Sequence, residues 1–132
     1  MAAARRHRLR ICGPNCVGIQ VPGIGLNASF APRPARPGSL GFVAQSGAVI
    51  TAVLDWADAR GIGFSHLVSL GDMSDVDFGD LLDYLANDLQ TRSILLYIEA
   101  VTDARKFMSA ARGAARRVRS GRRAPPPPRR SA

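Results

Sequence analysis

Strand-like and helix-like segments alternate strictly between residues 40 and 117, and this alternation constrains the fold more than any other feature of the sequence. The three strand-like segments are Leu40–Ala44, Phe64–Leu70 and Ser93–Glu99, and a segment of helical periodicity follows each of them. Right-handed crossovers between successive strands make such a sheet parallel and place helices on both of its faces. The sequence therefore predicts an α/β fold with a doubly wound parallel sheet.

Capping residues and apolar stripes predict the helix boundaries and their buried faces. Ser46 is the expected N-cap of a helix that ends near Arg60, the second helix begins near Asp77, and Thr102 or Asp103 caps the third. The expected inward-facing residues are Val49, Val53, Trp56 and Ala57 in the first helix, Phe78, Leu81, Leu82, Leu85 and Ala86 in the second, and Ala104, Phe107, Met108, Ala111 and Ala115 in the third. The run from Ile94 to Ile98 in the last strand is apolar throughout, which predicts cover on both faces.

The region before residue 40 is predicted to be less regular. Leu9–Cys12 has the character of a short strand, and Gly13–Gly38 is a connection punctuated by glycine and proline. Cys12 and Cys16 are the only cysteines, and no second pair or nearby histidine completes a zinc site. We expect two reduced thiols and no bound metal.

The net charge of +8 is distributed very unevenly. The first ten residues contain four Arg and no acid, residues 105–132 contain nine Arg and one Lys and no acid, and all ten acids lie between these ends. Because a domain that binds nucleic acid usually carries its basic residues on a folded face, we expect no nucleic-acid partner. No apolar run is long enough for a membrane span, and no signal peptide is recognisable, so a cytoplasmic location is expected.

Ligands of doubly wound sheets bind beyond the carboxyl ends of the strands. That rule selects three segments: Gln45–Ala48, Gly71–Asp75 and Glu99–Asp103. Gly47 leaves room at a helix N-terminus whose backbone N–H groups are suited to a phosphate, and Glu99 is suited to hold an imidazole N–H. On spacing alone, Ser46 is more often a plain cap, and Glu99 can also be an ordinary exposed acid.

Other motifs in the chain are predicted to have structural roles. The acids from Asp72 to Asp83 lack the glycine of a calcium loop and are expected to favour a helix N-terminus. The run from Gly23 to Ala28 resembles a dinucleotide-binding loop but does not lead into a helix. His66 lies inside a predicted strand and is expected to be structural.

Seven sequence blocks together resemble one known family. They are Gly13-Pro14-Asn15-Cys16-Val17-Gly18, Gly25-Leu26-Asn27-Ala28, Gln45-Ser46-Gly47-Ala48, Leu54-Asp55-Trp56-Ala57, Gly61-Ile62-Gly63-Phe64-Ser65, Asp75-Val76-Asp77-Phe78 and Tyr97-Ile98-Glu99. Their types and spacing resemble the succinyl-CoA-ligase-like flavodoxin domain of NDP-forming acyl-CoA synthetases of the acetate–CoA ligase type. That domain also occurs in multidomain bacterial protein acetyltransferases.

The resemblance implies roles for six residues and a partner set. Ser46, Gly47 and Ala48 would bind phosphate in the pocket of a phosphorylated histidine, and Glu99 would orient that histidine. Asn15 and Cys16 would lie near the CoA thiol. Asp72 replaces the family's usual Asn, which places a negative charge near the pocket. The CoA-binding loops, the histidine block and the ATP-grasp domain of the family are expected on other domains or chains.

These implications give an organisation and a function. Residues 1–16 are interpreted as a basic N-terminus with the last strand of a CoA-binding Rossmann domain, 17–117 as a partial flavodoxin-like domain truncated after three βα units, and 118–132 as a disordered Arg/Pro-rich tail. The chain is expected to be a fragment of an acyl-CoA synthetase, not catalytic alone and without its own cofactor, while the complete enzyme uses CoA and ATP or ADP. The alternative is a non-catalytic interaction module whose Arg-rich tail binds nucleic acid or another anion. Strand 93–99 is expected to be a bare sheet edge that supports self-association.

Overall fold

The computed structural model describes residues 1–119. Their strands are β1 (Gly18–Val21), β2 (Leu26–Ser29), β3 (Pro37–Ala44), β4 (Phe64–Ser69) and β5 (Ser93–Tyr97). Their helices are α1 (Ala2–Arg6), α2 (Gly47–Asp58), α3 (Phe78–Asn87) and α4 (Ala104–Arg119), and a short 3₁₀ turn covers Pro22–Ile24. The five strands form one sheet in the order β2-β1-β4-β3-β5. The expected α/β fold is confirmed.

The parallel part of the sheet contains β4, β3 and β5, with β3 in the middle. Its three strands are contiguous and β5 lies at the edge, as the sequence predicts. Phe42 and Ala44 point into the apolar cluster on the α2 side, and Val43 points into the cluster on the α3 side. All six residues of β4 are buried because strands lie on both sides of it and helices cover both faces.

Helix α2 begins where predicted, but its buried face is rotated. Ile50, Leu54 and Ala57 are buried at spacings of four and three residues, whereas Trp56 is 51% exposed. The Trp56 ring packs instead against the Arg60 guanidinium, whose central carbon lies 4.6 Å from the ring centroid. The predicted placement of Trp56 in the core is therefore wrong. The buried residues each lie one position after the predicted residues 49, 53 and 56, and one position corresponds to a rotation of about 100° around the helix axis.

The other face of the sheet carries α3 and α4. Phe78, Leu82 and Leu85 of α3 are buried as predicted. In α4 the buried residues are Ala110 and Ala114, which pack with Leu82, and Phe107 is partly buried beside them. The predicted α4 stripe is wrong at three positions, because the small side chains that contact α3 lie on an adjacent part of the helix surface. The three positions that are exposed instead are Ala104, Met108 and Ala115.

Two N-terminal predictions are corrected by the structure. The connection predicted over residues 13–38 contains the β1–β2 hairpin, whose strands pair antiparallel around the 3₁₀ turn, with β1 also antiparallel to β4. Leu9–Cys12 is not a strand and pairs with no strand within residues 1–119. The hairpin is held by a buried glutamine: Gln20 accepts the Ala35 N–H at 2.7 Å and donates to the Arg33 carbonyl at 3.2 Å. These contacts satisfy an amide that would otherwise be costly to bury.

Strand β5 is less covered than its composition predicts. Ile94 and Leu96 pack toward α3 and α4, but Leu95 and Tyr97 remain 46% and 43% exposed. The expectation of cover on both faces is wrong because no helix within residues 1–119 crosses the outer face of this edge strand. Self-association through residues 93–99 stays a prediction.

Helix α4 includes Val118 and Arg119 and so continues two residues beyond the predicted domain boundary at residue 117, while the division into domains stays a prediction. Residues 120–132 of the predicted tail lie outside the described residues. No helix within residues 1–119 has the length and apolar character needed to cross a membrane.

Candidate functional site

An open cavity of about 630 Å³ lies at the carboxyl ends of β3, β4 and β5. The residues that line it are Asn15, Cys16, Val17, Gln45, Ser46, Gly47, Ala48, Thr51, Gly71, Asp72 and Glu99. All six site residues expected from the sequence are among them. The structure thus brings together side chains that are up to 84 positions apart in the sequence.

The N-terminus of α2 forms one wall of the cavity. Ser46 is the N-cap, and its Oγ accepts the Val49 N–H at 3.4 Å. The first N–H groups of a helix have no acceptor within the helix. This applies to the N–H groups of Gly47 and Ala48, and both residues line the cavity. A side chain at Gly47 would place its Cβ 2.5 Å from Val17 Cγ2, so packing against Val17 also requires glycine there.

Gln45 fixes the loop that carries Glu99. Its side-chain Oε1 accepts the backbone N–H groups of Glu99 at 3.1 Å and Ala100 at 3.0 Å. Its backbone N–H donates to the Tyr97 carbonyl at 3.1 Å. The Glu99 carboxylate itself is exposed and makes no hydrogen bond or ion pair with residues 1–119. The sequence placed Gln45 in the right segment but gave no sign of this clamp, which joins positions 54 residues apart.

The loop after β4 holds the segment that contains Asn15 and Cys16. The Asp72 N–H donates to the Pro14 carbonyl at 2.9 Å, and the Asn15 side-chain amide donates to Asp72 Oδ1 at 3.3 Å. Gly71 has a φ of +57°, and a Cβ there would collide with the carbonyl oxygens of Pro14 and Asn15. Asp72, the departure from the family pattern, therefore lines the cavity with its carboxylate paired to an amide.

Both cysteines are free thiols, as expected. Cys12 Sγ donates to the Ser69 carbonyl at 3.4 Å, and burial raises the pKa of the Cys12 thiol to about 11. Cys16 Sγ donates to the Cys12 carbonyl at 3.7 Å, and of the two cysteines Cys16 alone lines the cavity. Within residues 1–119 no group of three His, Cys, Asp or Glu side chains is arranged to hold a metal ion.

His66 lies in β4, outside the cavity lining. Its Nε2 lies 3.3 Å from the Tyr84 hydroxyl, and its Nδ1 lies 3.7 Å from an oxygen of Asp88. Burial lowers the pKa of His66, and the Asp88 charge partly opposes that shift. These contacts agree with a structural role.

The acids near the start of α3 form an ion-pair network that the sequence did not reveal. Asp77 and Asp80 make a reciprocal capping box, and Lys106 of α4 binds both carboxylates at 2.9 and 2.8 Å. Arg10 binds Asp80 and Asp75, both at 3.1 Å. The spacing of Asp77 and Asp80 signals the capping box, but the basic partners come from distant parts of the chain.

This network lowers the pKa values of Asp75 and Asp77 and so favours their charged forms. Burial alone opposes ionisation of Asp77, but the hydrogen bond from Lys106 helps to hold its pKa below the ordinary value. The Ile11 N–H, at 2.8 Å, and Arg10 lower the pKa of Asp75. The network therefore ties the N-terminal segment to α3 and α4 near neutral pH.

Comparison with known families assigns the chain. Residues 37–120 match the profile of the succinyl-CoA ligase-like flavodoxin domain. The chain belongs to this family. The family match covers β3 to α4, which contain Ser46, Gly47, Ala48 and Glu99, whereas Asn15 and Cys16 lie before it.

Curated relatives of this succinyl-CoA ligase-like domain are ADP-forming acetate–CoA ligases. Acetate–CoA ligase I of Archaeoglobus fulgidus is 46% identical over 114 residues, which cover 86% of this chain and 17% of the relative. The alpha subunit of acetate–CoA ligase I of Pyrococcus furiosus is 42% identical over 109 residues, which cover 83% and 24%. The chain thus spans a quarter or less of the length of these relatives and corresponds to one part of them.

Solved structures agree with this assignment. Protein PH0766 of Pyrococcus horikoshii superposes with a TM-score of 0.84 at 40% identity, over 88% of this chain and 26% of that protein. The dinucleotide-forming acetyl-coenzyme A synthetase 1 of Korarchaeum cryptofilum, in complex with phosphate and ADP, gives a TM-score of 0.81 at 33% identity, over 86% and 25%.

Proposed function

We propose that this domain supplies one wall of the pocket that holds a phosphorylated histidine in an NDP-forming acyl-CoA synthetase. The observation that supports the proposal is the single cavity of about 630 Å³ on which Asn15, Cys16, the start of α2 and Glu99 converge. The histidine comes from outside this set of residues, since neither His7 nor His66 lines the cavity. On this view the chain acts together with other domains or chains and is not catalytic alone.

The start of α2 is the proposed phosphate-binding element. The dipole of α2 and the backbone N–H groups of Gly47 and Ala48 favour an anion at this end of the helix. Ser46 keeps its Oγ on the Val49 N–H and so holds the first turn in place. Asp72 also lines the cavity, and its pairing with Asn15 moderates its repulsion of a phosphate.

Glu99 is the proposed partner of the incoming imidazole. Its carboxylate has no partner among residues 1–119, while Gln45 holds its backbone in place. A carboxylate that accepts one imidazole N–H fixes the ring and stabilises the positive charge that develops when the other nitrogen binds a phosphoryl group. Glu99 therefore acts by orienting and charge-stabilising the histidine.

The complete reaction is proposed to exchange acyl-CoA, ADP and phosphate with acid, CoA and ATP. A phosphate oxygen attacks the thioester carbon and the CoA thiolate leaves, which gives an acyl phosphate. The histidine then takes the phosphoryl group while the carboxylate leaves, and ADP receives it to become ATP. We propose that Asn15 and Cys16 lie near the CoA thiol in the complete enzyme. CoA-binding and ATP-grasp domains are proposed to supply the remaining sites, in a cytoplasmic protein.

A hybrid enzyme tests this proposal. The matching 114 residues of the Archaeoglobus fulgidus acetate–CoA ligase are replaced by those of this chain, and both acetyl-CoA formation and acid-labile phosphate on the protein are measured. The hybrid is expected to be active, and Glu99→Gln is expected to lower both signals by about a hundredfold.

Asp83→Asn is the matched control, because Asp83 is an exposed acid on α3 outside the cavity lining. It removes the same charge and is expected to leave both signals unchanged. A folded but inactive hybrid, or an E99Q hybrid that is phosphorylated as well as its parent, would contradict the proposed role of the pocket.

A further inference from the structure

Helix α4 presents a row of arginines on the side that faces away from α3. Arg105, Arg112 and Arg116 are separated by seven and four residues, so they lie along one face of the helix with Met108 and Ser109 between them. All five of these side chains are exposed and border an open depression of about 570 Å³. This surface is called the α4 arginine face below.

The arginines of this face are not used within the described part of the protein. Arg105, Arg112 and Arg116 make no ion pair or side-chain hydrogen bond with any of residues 1–119. By contrast, Lys106 binds Asp77 and Asp80 and Arg117 binds Asn87. Helix α4 therefore separates its basic residues into a structural set and an unpaired set.

This arrangement changes what the charge distribution implies. The sequence indicated that the basic residues near the C-terminus belong to a tail, which argued against a nucleic-acid partner. The structure instead places residues 104–119 in a helix that is anchored to α3 through Ala110 and Ala114. Three of the basic residues are thus held in a fixed row on a folded surface, which is the condition for tracking a phosphate backbone.

We propose that the α4 arginine face binds the phosphodiester backbone of duplex nucleic acid, independently of base sequence and of the acyl-CoA pocket. From Arg105 to Arg116 the helix rises by about 16 Å, a length along which one strand of a duplex carries about five phosphates. An arginine guanidinium can bind two phosphate oxygens at once. With one phosphate for each arginine, the face would contact about three phosphates.

The rest of the surface explains the choice of ligand and the lack of base readout. Met108 is the one large apolar side chain on this face, and arginines lie around it, so the face lacks the row of apolar side chains with which an amphipathic helix inserts into a lipid surface. The face has no Asn or Gln to pair with adenine, although an arginine can also pair with guanine. The proposed contact is with the backbone, and equal binding of two duplexes of unrelated sequence tests it.

The test measures binding of a fluorescently labelled 20-base-pair duplex by the full chain from low to moderate salt. The variant R105A/R112A/R116A is compared with two controls that remove the same charge, R5A/R6A/R8A and R122A/R123A/R129A. We expect the α4 variant to lower the salt dependence, d log K/d log[salt], by about 2.7 and to weaken binding by about two orders of magnitude at 0.1 M salt. Each control is expected to cost less than about fivefold, and a second duplex of unrelated sequence is expected to bind equally.

Several results would overturn the proposal. Either control weakening binding as much as the α4 variant would assign the affinity to diffuse charge or to the terminal segments. Tighter binding to phosphatidylserine vesicles than to the duplex would assign the face to a membrane surface. Circular dichroism of each variant separates loss of binding from loss of fold, and R105K/R112K/R116K, which keeps the charge, is expected to retain most of the salt dependence. All of these outcomes are independent of the hybrid-enzyme assay.

Discussion

Two substitutions of Asp77 distinguish the contribution of the α3 N-cap to stability from that of the ion pair with Lys106 of α4. Asp77 accepts the Asp80 N–H at 3.0 Å, binds Lys106 at 2.9 Å and is nearly buried. Asp77→Ala removes both interactions and also the 3.3 Å hydrogen bond from the Thr102 hydroxyl. Asp77→Asn removes the charge but keeps an N-cap of similar strength and an acceptor for Thr102. The difference between the two variants therefore measures the cap together with this weaker hydrogen bond.

The expected magnitudes follow from those contacts. Loss of an N-cap costs about 1 kcal/mol. Loss of the half-exposed ion pair costs about 0.5–1 kcal/mol, and Lys106 keeps Asp80 as a partner at 2.8 Å, so no charge is left buried alone. We expect Asp77→Ala to lower the free energy of unfolding by about 2 kcal/mol and Asp77→Asn by about 1 kcal/mol or less.

Urea unfolding at pH 7, followed by circular dichroism, measures both values, and the urea dependence should be unchanged. Asp83→Ala serves as the control, since Asp83 is exposed on the same helix, and it should stay within about 0.5 kcal/mol of the parent. Equal losses for Asp77→Asn and Asp77→Ala would refute the reasoning, because they would show that the cap contributes nothing beyond the charge.

Two further predictions concern the core and a buried histidine. Leu54→Ala should cost about 3 kcal/mol because Leu54 is only 2% exposed, whereas Leu89→Ala, at an 81% exposed position, should cost less than about 0.5 kcal/mol by the same urea assay. Burial places the pKa of His66 below its ordinary value of 6.5, so NMR titration should find a lower midpoint. Since the unfolded chain then binds the proton more readily, His66 should reduce stability as the pH falls below about 6.5, and His66→Gln should remove that part of the pH dependence.

The sequence predicted those helices, strands and caps that are determined by residues close together along the chain. The sequence predicted the three βα units, the Ser46 cap and the start of the second helix near Asp77, because apolar periodicity and capping act over a few residues. The sequence also predicted the site segments, because a parallel sheet brings the carboxyl ends of its strands to the same edge.

The features that the sequence did not reveal depend on contacts between distant residues. Gln20 is polar yet buried because acceptors and donors from residues 29–35 surround it, which concealed β1 within an apparent loop. The exposure of Leu95 depends on whether another element covers the outer face of β5. The apolar sequence of the strand does not indicate whether such an element is present. The Arg10–Asp75 pair joins positions 65 residues apart, and many other pairings were equally compatible with the composition.

Strand β1 pairs with β4, which is synthesised later, so the β1–β2 hairpin can form before β1 can pair with β4. The β1–β2 hairpin can close as soon as residue 29 is available, but its partner residue Val68 is made about forty residues later. At about 5–20 residues per second on the ribosome, the edge of β1 that will meet β4 waits roughly 2–8 s without a partner. Strand β1 is short and has the polar Gln20 in its middle, and both features disfavour pairing with an incorrect strand during that interval. Gln20, which made β1 difficult to predict from the sequence, therefore also disfavours mispairing before β4 is available.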